Sequence, residues 1–215
     1  MATTRRLDLK NVIPLMFKQS VFSLAWGMSK RKQDRAEVLT KFNAIYDYLT
    51  QFILHAGIKG IAYFDTFNVQ AIGDTLIFND SNIKWSFPRI RNRCITSSIT
   101  ERGQIALQVV TLGRSLETLI AQFELEERYS MLFYFHGFTV WLTEALAQYH
   151  HQLIREEWKE KGQAERYSFG YPLCPDLSMQ KDLFHLLKME DQHEVSLLPS
   201  FMMMPEQSTS AIIFR

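Results

Sequence analysis

One long amphipathic segment constrains the fold of this chain more than any other feature of its sequence. Over residues 126–159, apolar side chains recur every three or four positions on one face, which predicts a single long helix. Glu144, Gln148 and His151 lie on a neighbouring stripe, so we expect all three at the edge of the buried face. The apolar positions of the helix are Met131, Phe135, Phe138, Leu142, Ala145, Tyr149 and Leu153.

The segments around this helix predict further helices and several short strands. A first helix is predicted over residues 11–26, with Pro14 tolerated in its first turn, and a second over residues 33–55. β-Branched and aromatic runs predict strands over residues 59–64, 75–78, 104–111, 194–197 and 209–214. We expect one α+β domain, with an antiparallel sheet packed against long helices. Its part at about residues 1–57 is expected to be helical, and the sheet and long helix are expected at about residues 58–215.

Charge and cysteine content exclude several classes of function. Twenty-four Lys and Arg residues balance 23 Asp and Glu residues, so the net charge of +1 provides no basic patch for nucleic acid or for a membrane surface. No apolar run is long enough to span a membrane, and no signal peptide is recognisable, so we expect a cytoplasmic protein. Cys94 and Cys174 are the only cysteines and lie far apart, which predicts two reduced thiols.

Motifs of catalysis and metal binding are missing from the sequence. It contains no G-x-S-x-G, no H-E-x-x-H, no P-loop and no G-x-G-x-x-G after a strand. The adjacent His150 and His151 diverge by about 100° around a helix, so they cannot share one metal ion. We therefore predict neither a catalytic residue nor a metal site.

The segment Arg166-Tyr-Ser-Phe-Gly-Tyr-Pro-Leu-Cys-Pro-Asp176 is the most unusual in the chain. Gly170 lets the backbone approach a ligand closely, and two prolines stiffen the segment. Arg166 offers a permanent cation for a carboxylate, while Phe169 and Tyr171 offer flat surfaces. From the residues alone, two interpretations stay open: a rigid recognition loop for a small molecule, or a structural crossover between two helices.

This segment resembles the signature R-x-x-x-G-Y-P-A-C-P-D of the activation domain of cobalamin-dependent methionine synthase. Leu173 stands where the family has alanine. The stretches LTEALAQYHH (142–151) and SFMMMP (200–205) are also similar to the family, so the resemblance covers nearly the whole chain and is weakest over residues 79–115. The positions that match the signature are Arg166, Gly170, Tyr171, Pro172, Cys174, Pro175 and Asp176.

The resemblance implies a set of residues that bind S-adenosylmethionine (SAM). In the family, the loop holds SAM largely through backbone groups, with the arginine on the carboxylate of the ligand. The resemblance also places Glu144, Glu160 and Asn11 at acidic positions of the family's ligand site, with Asn11 replacing an aspartate. The implied SAM-binding residues are Arg166, Gly170, Tyr171, Pro172, Leu173, Cys174, Glu144, Glu160 and Asn11.

The resemblance also implies an activity. SAM would supply the methyl group for reductive methylation of cob(II)alamin, which reactivates a methionine synthase. The cobalamin would be carried by a partner, the cobalamin-binding methionine synthase module, and flavodoxin or a flavin reductase would donate the electron. The protein would act by positioning. Two alternatives stay open: a non-catalytic module that docks on a cobalamin-binding domain, and reactivation of another corrinoid methyltransferase.

Overall fold

A computed structural model of the chain describes residues 2–28, 35–99, 102–159, 165–189 and 194–215. The helices are α1 (Leu9–Val12), α2 (Lys18–Ser20), α3 (Arg35–His55), α4 (Ser115–Leu125), α5 (Tyr129–Glu157) and α6 (Met179–Leu186). The strands are β1 (Thr3–Leu7), β2 (Gly60–Ile72), β3 (Thr75–Phe78), β4 (Lys84–Ser86), β5 (Arg102–Thr111), β6 (Arg166–Ser168), β7 (Ser196–Leu197), β8 (Met203–Met204) and β9 (Ser208–Phe214). Two 3₁₀ turns, Ile13–Leu15 and Ile95–Ser98, and a π-helical turn, Val21–Ala25, complete the regular elements.

Seven of the strands form one antiparallel sheet. Its strand order is β4-β3-β2-β5-β9-β6, and β1 pairs with the first half of β2. Strand β6 therefore lies at one end of the sheet, and β9 is its one partner among the described strands, with Arg166 opposite Ile213. The expected α+β fold with an antiparallel sheet is confirmed, and α5 is the predicted long helix.

Both faces of the sheet are covered. Side chains of β5 alternate between them: Ala106 and Val110 face the α5 side, whereas Leu107 and Val109 pack with α6 and the segment before it. The helical layer comes close to α5 at Gly137, where an added Cβ would lie 2.8 Å from the Cβ of Ala25. Burial of both faces keeps the strands next to β6 in place, so this end of the sheet can hold a precisely shaped site.

The N-terminal part differs from the prediction. Residues 3–7 form β1 rather than part of a helical unit, and Leu7 is its one buried side chain, so the strand gives little alternation in the sequence. The single helix expected over residues 11–26 is broken into α1, two irregular turns and α2. Pro14 has no N–H to continue the hydrogen bonds of α1, and Met16 adopts extended backbone angles.

Within the described residues, no helix is long and apolar enough to cross a bilayer.

Candidate functional site

Arg166 on β6 and Glu144 on α5 form an ion pair where the sheet meets the long helix. Arg166 Nη2 lies 3.5 Å from Glu144 Oε2, and the two side chains are 17% and 39% exposed. Arg166 Nη1 is buried and has no hydrogen-bond partner within the described part of the chain. A buried donor without a partner is unfavourable, because its hydrogen bonds to water have been lost and not replaced. The guanidinium is therefore prepared for an acceptor that the described residues do not supply.

A tight turn follows β6. The backbone N–H of Gly170 donates to the carbonyl of Cys174 at 2.8 Å, and the N–H of Cys174 donates to the carbonyl of Tyr171 at 2.8 Å. Gly170 has a φ of 85°, a conformation that side chains with a Cβ disfavour. Its hydrogen bonds make this turn a preformed surface.

Two side chains anchor the turn in the core. Phe169 is buried and meets Trp85 edge to face, with ring centroids 5.6 Å apart. The expectation that Phe169 offers a flat surface to a ligand is therefore wrong, because its ring is used in packing. Cys174 is fully buried, and burial raises the pKa of its thiol to about 12, so it is neutral and unreactive. Tyr171, in contrast, is 60% exposed and remains available.

The chain leaves the turn through a second set of hydrogen bonds. Asp176 Oδ1 accepts from the backbone N–H of Ser178 at 2.8 Å and from its hydroxyl at 2.6 Å. This local bonding starts α6, in which the side-chain amide of Gln180 bonds to the carbonyl of Phe201 and to the hydroxyl of Ser210. The turn is thus fixed at both ends.

Two adjoining cavities open around the Arg166–Glu144 pair. We call the cavity beside the turn after β6 the loop lobe and the cavity along α5 the helix lobe. Their volumes are about 440 Å³ and about 480 Å³, within the range of small-molecule sites. Both lobes are lined by Arg166, Glu144 and Tyr171. The loop lobe is completed by Tyr167, Ser168, Pro172, Leu173 and Cys174. The helix lobe is completed by Leu15, Met16, Phe17, Trp141, Ala145, Gln148 and Gln152.

Most of the residues singled out in the sequence come together here. Gly170 shapes the turn from behind, since a Cβ there would lie 3.1 Å from Leu177 Cδ2. Asn11 is exposed on α1, and of the described residues it is Leu15, Met16 and Phe17 that line the helix lobe from this side instead. Glu160 lies outside the described residues.

Sequence reasoning missed most of the helix lobe, although part of its signal was present. Trp141, Glu144, Gln148 and Gln152 follow one another at helical spacing along α5 and mark a single stripe. Of these four, only Glu144 and Gln148 are predicted on that stripe from the sequence; His151, predicted beside them at the edge of the buried face, is instead buried and lines neither lobe. Phe17 carried no such signal, because the segment before α2 was expected to be helical.

His150 is a polar group buried elsewhere on α5. Gln108 donates its amide to the carbonyl of Ala147 at 3.4 Å, so its oxygen faces His150 Nδ1 at 2.8 Å and Nδ1 carries the proton. His150 Nε2 is buried without a hydrogen-bond partner in the described chain. Burial, reinforced by the nearby Arg5, lowers the pKa of His150 from 6.5 to about 3. Among the described residues, no group of three His, Cys, Asp or Glu side chains could hold a metal ion.

The sequence of residues 89–215 matches the family model described as "Vitamin B12 dependent methionine synthase, activation domain". The chain belongs to this family. The family resemblance expected from the loop motif is therefore confirmed.

Individual relatives agree with this membership. The methionine synthases of Mycobacterium leprae and Mycobacterium tuberculosis are each 31% identical to the chain over 144 residues, which cover 58% of the chain. The chain spans only 12% of the length of these curated relatives. A crystal structure of the MetH reactivation domain bound to AdoHcy superimposes with a TM-score of 0.82 at 18% identity, over 100% of this chain and 78% of that one. That structure shows that the two chains share a fold.

Proposed function

We propose that the cleft formed by the two lobes binds SAM, and that the chain thereby supports reductive methylation of a cobalamin carried by a partner methionine synthase module. The observation that carries this proposal is the buried Nη1 of Arg166, which faces no acceptor of the described chain. A ligand carboxylate is the acceptor that a guanidinium binds best.

The Arg166–Glu144 pair suits the amino-acid end of SAM. The ligand's α-carboxylate would accept from Arg166 Nη1, while Nη2 stays with Glu144. The carboxylate of Glu144 would attract the ammonium and sulfonium charges of the ligand, and the partial burial of this site strengthens such attractions over those in water. A zwitterion therefore meets a matching pair of charges.

The loop lobe suits the nucleoside end. Tyr171 is exposed beside the preformed turn and offers a ring face for stacking, and the backbone from Pro172 to Cys174 lines the same lobe. The AdoHcy in the similar MetH structure, which is SAM without its methyl group, supports this choice of ligand. Asn11 and Glu160 stay predictions as ligand contacts.

The arrangement fits a protein that positions a methyl group. SAM supplies an electrophilic methyl on its sulfonium, and a cobalamin on the partner would receive it when flavodoxin or a flavin reductase supplies an electron. Phe17 and Tyr171 line the helix lobe and are 74% and 60% exposed, so the cleft is open to a second molecule. The chain's own contribution is to bind and orient SAM, which can supply much of a rate enhancement.

Calorimetric titration with SAM tests the proposal. Wild-type protein should bind SAM, and Arg166→Met should weaken binding by about a hundredfold, because a charge-assisted hydrogen bond is lost. Arg102→Met is the matched control, since Arg102 is exposed at the start of β5 and should leave affinity unchanged. The absence of heat with wild-type protein in millimolar SAM would overturn the proposal.

A non-catalytic docking module is the second candidate. The exposed position of Asn11, away from the walls of both lobes, favours it, because the ligand then loses one contact that the family resemblance implies. This candidate predicts that a cobalamin-binding methionine synthase module is retained equally by wild-type protein and by Arg166→Met, with no effect of added SAM. Retention that depends on SAM would favour the first proposal.

A further inference from the structure

The carboxylate of Glu165, immediately before β6, interacts with three side chains from two segments of the chain. The hydroxyl of Tyr167 on β6 donates to Oε2, and so does the hydroxyl of Ser98, at 3.0 Å, from the 3₁₀ turn. Arg93 Nη2 lies 3.6 Å from Oε1. The hydrogen bond from Tyr167 is the main reason why the pKa of Glu165 lies below its ordinary value. These contacts tie the start of β6 to residues 93–98.

The backbone alone holds β6 weakly. The strand has three residues, lies at the end of the sheet and, of the strands that the structure describes, pairs with β9 alone. One further backbone bond joins the N–H of Phe214 to the carbonyl of Glu165 at 2.9 Å. So short an edge strand needs side-chain contacts to fix its rotation about its own axis.

Glu165 and Arg166 point to opposite sides of the strand. Successive side chains of an extended chain alternate in direction, so the side that carries Glu165 and Tyr167 is opposite the side that carries Arg166. The Glu165 side lines another cavity of about 310 Å³ with Arg93 and Ser98, and Tyr167 and Leu173 lie between this cavity and the loop lobe. Arg166 pairs with Glu144 in the cleft. A rotation of the backbone at Glu165 would therefore swing the guanidinium of Arg166 within the cleft.

We propose that Glu165 is a positioning residue for Arg166: its bonds to Ser98 and Tyr167 fix the orientation of β6, so that Arg166 Nη1 faces the ligand carboxylate. This inference rests on the proposed function, because it concerns the same cleft. Glu165 itself contacts no ligand, since it lines neither lobe. A displacement of about 1 Å is enough to weaken a directional contact of this kind severely.

The test compares two ligands on the variant Glu165→Ala. SAM has the carboxylate, and decarboxylated SAM lacks it but keeps the sulfonium and the amine. Positioning through Arg166 predicts that Glu165→Ala weakens SAM binding about tenfold and leaves binding of decarboxylated SAM nearly unchanged. Loss of a nearby negative charge predicts the reverse order, because decarboxylated SAM has the larger positive charge.

Two serine variants complete the design. Ser98→Ala removes one donor to Glu165 at a distance from both lobes and should weaken SAM binding about twofold, since the hydrogen bond is partly exposed. Ser97→Ala is the control: Ser97 lines the same cavity but does not bond to Glu165, so it should have no effect.

The outcomes separate this inference from the proposed function. If wild-type protein does not bind SAM, both the proposed function and the positioning role of Glu165 are overturned. If wild-type protein binds SAM and Glu165→Ala binds it equally well, the positioning role alone is overturned. An equal loss for SAM and decarboxylated SAM also overturns it, because it marks a general disruption of the cleft.

Discussion

The charged groups on the two sides of β6 differ in how completely they are paired with other side chains. On one side, the carboxylate of Glu165 is engaged by Tyr167, Ser98 and Arg93. On the other, Glu144 is the one described residue that pairs with the guanidinium of Arg166, and a buried donor of this group has no partner in the described part of the chain. A saturated group contributes to the stability of the fold, whereas an incomplete one beside a cavity is suited to binding. Two neighbouring residues thus serve different purposes.

His150 shows that a buried polar atom without a hydrogen-bond partner does not by itself mark a ligand-binding site. Its Nε2 also has no hydrogen-bond partner among the described residues, but the residue is fully buried under Phe64, with ring centroids 4.6 Å apart. No ligand reaches such a nitrogen without unfolding the core. The comparison between Arg166 and His150 therefore depends on the cavity as much as on the missing partner.

The largest expected effect is the loss of folding stability that His150 causes as the pH is lowered. Because its pKa is lowered from 6.5 to about 3, the folded state keeps the ring neutral while the unfolded state takes up a proton. Its contribution to stability is therefore complete above pH 6.5 and decreases as the pH falls towards 3, by about 1.4 kcal/mol per pH unit. Urea unfolding of wild-type protein and of His150→Phe between pH 6.5 and about 5 measures this slope. Equal slopes for wild-type protein and His150→Phe would show that the His150 ring is not kept neutral by burial in the folded state.

Glu165→Ala should lower the free energy of unfolding by about 1.5 kcal/mol, because the hydroxyls of Tyr167 and Ser98 lose their common acceptor. Chemical denaturation of the variant measures the loss, with Ser97→Ala as the unchanged reference. A loss below about 0.3 kcal/mol would contradict the difference between Glu165 and Arg166, since Glu165 would then not stabilise β6.

Gly170→Ala should lower the free energy of unfolding by about 1 kcal/mol, because its φ of 85° disfavours a side chain. Leu177 would also have to move, since its Cδ2 lies 3.1 Å from the new Cβ. Gly73→Ala, at a φ of 59° with no atom within 4 Å of its Cβ position, is the control for φ alone. An effect of Gly170→Ala no larger than that of Gly73→Ala would remove the role of Leu177.

Arg166→Met should have the smallest effect on folding, with a change within about 0.5 kcal/mol, because it removes a partly exposed ion pair and a donor that no described residue satisfies. Thermal unfolding without ligand measures it. A large destabilisation would place Arg166 with Glu165 among the groups that stabilise the fold, and the difference between the two sides of β6 would disappear.

The sequence predicted elements whose apolar pattern is strong. The helix expected over residues 126–159 is α5, and the strand expected over residues 104–111 is β5, because both are buried along most of their length. Strands β1 and β6 were missed, since polar side chains and short length remove the alternation on which such predictions depend.

The candidate site was predictable only in part. Arg166, Tyr171 and Glu144 were named because a motif and a helical stripe marked them, and they line both lobes. Phe17 and Glu165 were not named as part of a site. Their contribution depends on elements far apart in the sequence, as when Ser98 bonds to Glu165, and no local pattern encodes such a contact.

A crystal structure of the chain with SAM tests the central claim most directly. We predict that a carboxylate oxygen of SAM lies about 3 Å from Arg166 Nη1, with Arg166 Nη2 still beside Glu144. SAM bound with its carboxylate away from Arg166, or in a cavity other than the two lobes, would contradict the account.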